Sequence, residues 1–312
     1  MIISASSRTD IPAFYGAWFR NRLGAGYCLS VNAFNGRVYR VGLSHREVDG
    51  FFFWTKNLGP FMDNLAELHA RGYPFIVHYT INGLPSFLEP SIPSVESCVS
   101  HLRQLTDDYG KKAAIWRYDP ILITSETSFD FHRSNFACIA RQLAGVVDDV
   151  AVAFASFSFK KTRANLSRAA REKGFSWEDP EVPAKQAFIR ELASIASDNG
   201  ITLRLCGQSE CLTPGISSAV CIDAMRLSLV AGRLIPSKRP GHRGKECGCD
   251  YSRDIGAYDT CGHGCIYCYA TTNHKASLSF CDQHDPMAEW LRGPRRLRGR
   301  SAKASFLEEN HS

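Results

Sequence analysis

The feature that most constrains the fold is an alternation. Short β-branched and aromatic runs are each followed by a longer segment with apolar residues at three- and four-residue spacing. "IISAS" (Ile2–Ser6) precedes "AFYGAWFRNRL", and "GFFFWT" (Gly50–Thr55) precedes "FMDNLAELHARG". "FIVHYTI" (Phe75–Ile81) precedes a loop and "SVESCVSHLRQLTDDYG", and "AAIWRY" (Ala113–Tyr118) precedes "FDFHRSNFACIARQLAG". "VAVAFAS" (Val150–Ser156) leads into helical segments around Arg163–Lys173 and Pro183–Asn199, and "ITLRLC" (Ile201–Cys206) is the last clear strand. Alternating strand and helix predicts an α/β protein with a parallel sheet and helices packed outside it. Right-handed crossovers curl such a sheet in one sense. Six units therefore predict a (β/α) barrel or partial barrel. "YCLSVN" and "RVYRVGL" read as a hairpin inserted after the first unit.

The 312 residues, 44% of them apolar, support a sizeable core without covalent staples. The start has no basic n-region and no long apolar run, and no stretch reaches membrane-spanning length. A cytoplasmic location and no membrane partner are the expectation. In a reducing compartment twelve cysteines are better read as metal ligands or redox centres than as disulfides. Cys28, Cys98 and Cys138 are scattered and read as small apolar residues in or near the core, and Cys211 and Cys281 as structural. The division expected is residues 1–232 as the barrel domain, 233–285 as a cysteine-rich segment on its mouth, and 286–312 as a basic tail.

Chemistry in βα architectures collects at the carboxyl ends of the strands. Here those ends carry Ser6, Ser7, Arg8, Thr9 and Asp10; Trp54, Thr55, Lys56 and Asn57; His78, Tyr79, Thr80 and Asn82; Arg117, Tyr118 and Asp119; Ser156, Ser158, Lys160 and Lys161; and Cys206, Gln208 and Glu210. Polar loops and helix caps account for some of them, and Asp10 before "IPAF" reads equally as an N-cap. Converging on one rim, they make a charged pocket for an anionic or zwitterionic ligand. Arg8, Lys56 and Arg117 suit a carboxylate or phosphate. Asp119 and Glu210 suit hydroxyls or an amine. Arg8, Asp10, Lys56, Arg117, Asp119 and Lys160 are the candidate catalytic set. Thr55, Asn57, Glu210 and Tyr267 are the candidate cofactor contacts.

Near the far end stands "CGHGCIYCYA", with Cys261, Cys265 and Cys268 in the pattern C-x3-C-x2-C. Thiolates this close in a glycine-containing loop can converge on one metal centre. Three are one short of a closed zinc or iron–sulfur site. A structural zinc completed by Cys247 and Cys249 of "ECGCD" is the competing reading. Cys206, Cys221, Cys247 and Cys249 are a candidate second metal site. His263 reads as a hydrogen-bond donor beside the cysteines, not as a ligand.

C-x3-C-x2-C with an aromatic before the third cysteine resembles the signature of the radical S-adenosylmethionine superfamily. "GCIYCYA" is similar in particular to the branch containing spore photoproduct lyase. The resemblance implies a six-stranded partial (β/α) barrel and a [4Fe–4S] cluster on the three cysteines. It also implies S-adenosylmethionine on the fourth iron, with Tyr267 against its adenine, and an electron donor such as ferredoxin or flavodoxin. That superfamily carries the loop after its first strand, whereas here it follows the last, so the chain's end is expected to return beside the first strand. "SASSRTDIPAFYGAWF", "FFFWTKN", "WRYDPIL", "CID" and "CGCDYSRDIGAYDTCGHGCIYCYA" together resemble the bacterial domain of unknown function family 1848 (DUF1848). Its motifs map onto Arg8, Thr9, Asp10, Trp54, Lys56, Asn57, Arg117, Asp119 and the cysteines.

"GRLIPSKRPGHRGK" and "WLRGPRRLRGRSAK" are basic and match either surface linkers or phosphate contacts to nucleic acid. Two functions are therefore expected. One is an iron–sulfur enzyme that cleaves S-adenosylmethionine reductively and abstracts hydrogen from a small-molecule or nucleotide-type substrate, including a nucleic-acid lesion. The other is a non-catalytic iron–sulfur or zinc protein that contacts nucleic acid.

Overall fold

The computed structural model describes residues 1–32, 35–239 and 247–294. Its strands are β1 (Ile2–Ala5), β2 (Tyr27–Val31), β3 (Val38–Gly42), β4 (Gly50–Thr55), β5 (Phe75–Thr80), β6 (Ala114–Ile121), β7 (Asp149–Phe154), β8 (Thr202–Leu205), β9 (Ser217–Ser218) and β10 (Ser252–Asp254). Its helices are α1 (Ile11–Phe14), α2 (Gly16–Ala25), α3 (Met62–Ala70), α4 (Val95–Tyr109), α5 (Phe129–Leu143), α6 (Lys160–Lys173), α7 (Val182–Asp198), α8 (Ala224–Ala231) and α9 (His274–Asp282). The six strands and the hairpin legible in the sequence all form. β2 and β3 make the antiparallel pair, separate from the main sheet.

The main sheet is parallel throughout and runs β10-β1-β4-β5-β6-β7-β8-β9. Its central strands are buried on both faces, so they read as unbroken apolar runs. In β4 the alternation sends Phe51 and Phe53 outward onto Phe19 of α2, with ring centroids 5.4 and 5.5 Å apart. Phe52 and Trp54 face the other way, where Trp54 stacks on His78 of β5 at 5.0 Å. A phenylalanine buried in this way stabilises the fold by about 1.5–3 kcal/mol.

The sheet differs from the expected barrel in one respect. Among the described residues no pairing closes it, and β9 and β10 are its two edges. These edge strands are two and three residues long, too short to carry a closing ladder. β10 itself was not expected. It lies parallel to β1 in the register Ile2↔Ser252 and Ser4↔Asp254, so the far end of the chain does return beside the first strand.

Caps set the helix starts. Ser94, Ser128, Asp223 and Asn273 accept backbone N–H bonds at the first turns of α4, α5, α8 and α9. α8 crosses the amino ends of β6 and β7. Its buried Arg226 donates to the carbonyls of Lys111, Lys112 and Ala114 and pairs with Asp148 and Asp149. No described helix is long and apolar enough to cross a membrane.

Candidate functional site

The site is built at the carboxyl ends of β10, β1, β4 and β5. Asp254, the last residue of β10, accepts from Ser4 Oγ (3.2 Å), Ser6 Oγ (2.8 Å), Ser7 N and Oγ (both 3.0 Å) and Gly256 N (2.8 Å). These bonds stitch the returning strand to the loop after β1. The approach is close enough that a Cβ on Gly256 would stand 2.0 Å from Ser6 Oγ. The three-cysteine loop begins immediately beyond.

Neighbouring elements hold that loop from several sides. Asp10 caps α1 through Ala13 N (2.9 Å), accepts from Lys56 N (2.8 Å), and meets His263 Nε2 at 2.7 Å. His263 Nδ1 lies 3.2 Å from the carbonyl of Ser91. Ile266 N donates to Leu88 O (3.1 Å), and Asn165 of α6 donates to the carbonyls of Cys268 and Thr271 (3.1 Å each). Gly264 takes φ +74°, a left-handed conformation that strains any side chain with a Cβ. His263 thus bonds beside the cysteines, as its sequence position implied.

Beneath the loop lies a buried ion pair. Lys56 Nζ is 2.7 Å from Glu89 Oε1, with side-chain exposures of 16% and 3%. Glu89 also accepts from Asn82 Nδ2 (3.1 Å) and from the hydroxyl of Tyr267. The Lys56 ammonium stands 5.7 Å from the centre of the Tyr267 ring, a cation–π contact. Burial alone would lower the Lys56 pKa, but Glu89, and after it the Cys265 thiol, outweigh burial and raise it. Burial likewise pushes the thiols of Cys261 and Cys265 well up, and each interacts electrostatically with Cys268. Three soft thiols in one water-poor loop beside a cation match the donor chemistry of an iron–sulfur centre. Among the described residues no group of three or more His, Cys, Asp or Glu already stands in a metal-holding arrangement.

The remaining sequence candidates divide. Arg117 is buried, pairs with Asp119, and donates to Cys221 Sγ at 3.2 Å. Asp119 N donates to Asn82 Oδ1 (2.8 Å), which links this pair to the Glu89 cluster. Arg8 sits at the edge of the site, 4.0 Å from Asp254 and over the Tyr258 ring at 5.6 Å. Thr55 is buried and accepts from Asn57 N at 2.9 Å, which shapes the turn after β4. Lys160 is exposed at the start of α6. Glu210 is exposed too, in a short turn whose carbonyl accepts from Gln186 of α7. The Lys56–Glu89–Tyr267 cluster is built without either of them. Cys28 and Cys98 are buried as expected, but Cys138 is exposed on α5.

Sequence reading passed over Glu89 and Asp254. Glu89 lies in the proline-flanked loop "FLEPSIP", where an acid between apolar residues was the available signal. Of the two basic stretches, residues 240–245 and 295–303 lie outside the described residues; in the described part Arg233 lies 4.0 Å from Asp49 and Arg239 pairs with Asp223 (3.6 Å) and Asp250 (3.3 Å).

No curated protein and no solved structure gives a significant match to the chain. The family model "Domain of unknown function (DUF1848)" matches residues 2–270, and the chain belongs to that family.

Proposed function

We propose that this protein is an iron–sulfur enzyme of the radical S-adenosylmethionine type, acting on a small-molecule or nucleotide-type substrate. The observation that carries the reading is the position of the C-x3-C-x2-C loop. It leaves β10 directly beside β1 and packs over the Lys56–Glu89–Tyr267 cluster. Similarity to the spore photoproduct lyase branch keeps a nucleic-acid lesion among the candidate substrates. Cys261, Cys265 and Cys268 would hold a [4Fe–4S] cluster. When bound, such a cluster supplies a single electron at low potential for reductive cleavage of S-adenosylmethionine.

The chain's own share is positioning and exclusion of water. Lys56 offsets negative charge on Cys265 and is kept cationic by Glu89. The Asp10–His263 contact fixes the loop to the start of α1. Tyr267 is held by its hydroxyl on Glu89, with the Lys56 ammonium 5.7 Å from its ring centre. Asp119 is the more exposed member of its pair with Arg117, and so is the acid available to a substrate amine or hydroxyl.

The test is electron paramagnetic resonance on anaerobic, dithionite-reduced protein with and without S-adenosylmethionine, for the natural chain and for Cys261→Ala. A [4Fe–4S]⁺ signal that changes with S-adenosylmethionine and is lost in Cys261→Ala is the expected result. A signal indifferent to S-adenosylmethionine, or one unaltered in Cys261→Ala, overturns the reading. Stoichiometric zinc without iron would leave a non-catalytic metalloprotein that contacts nucleic acid through its basic stretches.

A further inference from the structure

A second set of thiols lies where the two open edges of the sheet come together. Cys206 follows β8, Cys221 follows β9, and Cys247 and Cys249 precede β10. Asp250 N donates to Ile222 O at 2.9 Å, so the segment entering β10 lies against the segment leaving β9. The Cys206 and Cys221 sulfurs are 3.2 Å apart. The Cys249 thiol interacts in turn with those of Cys221 and Cys247. Cys221 and Cys249 belong to the apolar cluster with Phe52 and Leu227, whereas Cys265 packs in a different cluster with Leu88 and Leu166. The two thiol sets are therefore separate.

We propose that Cys206, Cys221, Cys247 and Cys249 form a closed, four-thiolate site for one thiophilic divalent ion of the zinc class, which clasps the open edges of the sheet. Zinc–sulfur bonds of about 2.3 Å in a tetrahedron put neighbouring sulfurs about 3.8 Å apart. The 3.2 Å Cys206–Cys221 separation needs to open by only about half an ångström to reach that spacing. A cubane cluster spreads its thiolates over four separate irons, and so would force them farther apart. Binding one divalent ion releases four protons from the four thiols to solvent and leaves a centre of charge −2. Arg117, buried and already donating to Cys221 Sγ, supplies a positive charge in contact with it. Cys221 also lines a cavity of about 290 Å³ with His78 and Ile115, which provides the ion's route in. Four thiols gathered in one apolar cluster, two of them buried and two half-buried, with a neighbouring guanidinium and an entry path, meet the requirements for a structural metal.

The experiment starts from the chain carrying Cys261→Ala, Cys265→Ala and Cys268→Ala, so that metal on the loop is not counted and its presence or absence does not affect the result. The purified variant is analysed for zinc, and after chelation is titrated with cobalt(II) alone. One zinc per chain, or one cobalt(II) with the absorption of a tetrahedral four-thiolate site, is expected. Adding Cys221→Ser and Cys249→Ser should reduce this from one ion per chain to none. A folded starting variant that binds neither ion overturns the proposal, as does binding that survives the two serines. A parallel measurement on the natural chain guards against a variant that fails to fold. Removing zinc with a chelator should release one ion per chain and make Cys206, Cys221, Cys247 and Cys249 newly reactive to alkylation. Alkylation of these four that is independent of metal, or a Cys206–Cys221 disulfide in freshly purified protein, refutes the site.

Discussion

Replacing Glu89 by glutamine should destabilise the protein by about 3 kcal/mol, because it removes a charge and leaves its partner in place. Lys56 Nζ is 2.7 Å from Glu89 Oε1, and both side chains are largely withdrawn from water. Breaking a buried ion pair by deleting one partner costs about 3–5 kcal/mol, against about 1 kcal/mol for the loss of an ordinary hydrogen bond. The residual exposure of Lys56 places the expectation at the low end of that range. Glutamine keeps an oxygen for Asn82 and Tyr267, so the measured loss reports on the charge and not on those two bonds. The assay is urea unfolding of the natural chain, Glu89→Gln, Lys56→Met and the double variant. The coupling energy from this cycle should reach about 2 kcal/mol. Alkaline pH gives a second reading. The folded-state pKa of Lys56 is raised, so its contribution is complete below about pH 10.4 and is lost as pH climbs through the folded-state value. Glu89→Gln should remove that alkaline loss. A cost under about 1 kcal/mol, with additive single variants, would show that solvent reaches this pair and that the buried-charge argument is wrong.

Two further outcomes are expected. Burial lowers the pKa of His132 to about 4, and the neutral ring accepts from the Tyr118 hydroxyl at Nδ1 (2.7 Å) and donates from Nε2 to Leu122 O (3.0 Å). The resulting stability is complete above about pH 6.5 and falls by about 3 kcal/mol as pH drops to 4, and unfolding curves over that range should lose this slope in His132→Gln. Asp10→Asn keeps an acceptor for Ala13 N but puts an amide NH2 where Oδ2 accepts from Lys56 N and meets His263, whereas Asp10→Ala also loses the cap, about 1 kcal/mol. Proteolysis of residues 255–270 should therefore accelerate in both variants, while global stability falls further in the alanine variant, by about the 1 kcal/mol of the lost cap.

Much of the fold is legible because its signals are local. The bounds of β4 read directly from "GFFFWT", and α4 runs from its Ser94 cap to Gly110 with a regular apolar stripe. Lys56, Asp10, Tyr267 and the three cysteines also announce themselves, as polar or soft residues at strand ends and in a glycine-containing loop. β10 does not. Its three residues, "SRD", carry no apolar alternation, and become a strand only because β1 offers an unpaired edge. Glu89 escapes for a related reason. Its significance comes from Lys56, Asn82 and Tyr267, which approach it from β4, the loop after β5 and the cysteine loop.

The amino-acid order was sufficient for the alternating elements, the hairpin and the spacing of Cys261, Cys265 and Cys268, since periods of two and 3.6 residues and a C-x3-C-x2-C run act over a few neighbouring positions. It could not say which thiols meet, whether the sheet closes, or what lies under the cysteine loop. Those outcomes depend on contacts such as Ser6 with Asp254, 248 residues apart, and Lys56 with Glu89, 33 apart. A side chain carries no local mark of a partner that distant. Only the packing of helices against a twisted parallel sheet brings the chain's end back to its beginning, and with it the thiols, the acid and the lysine into one place.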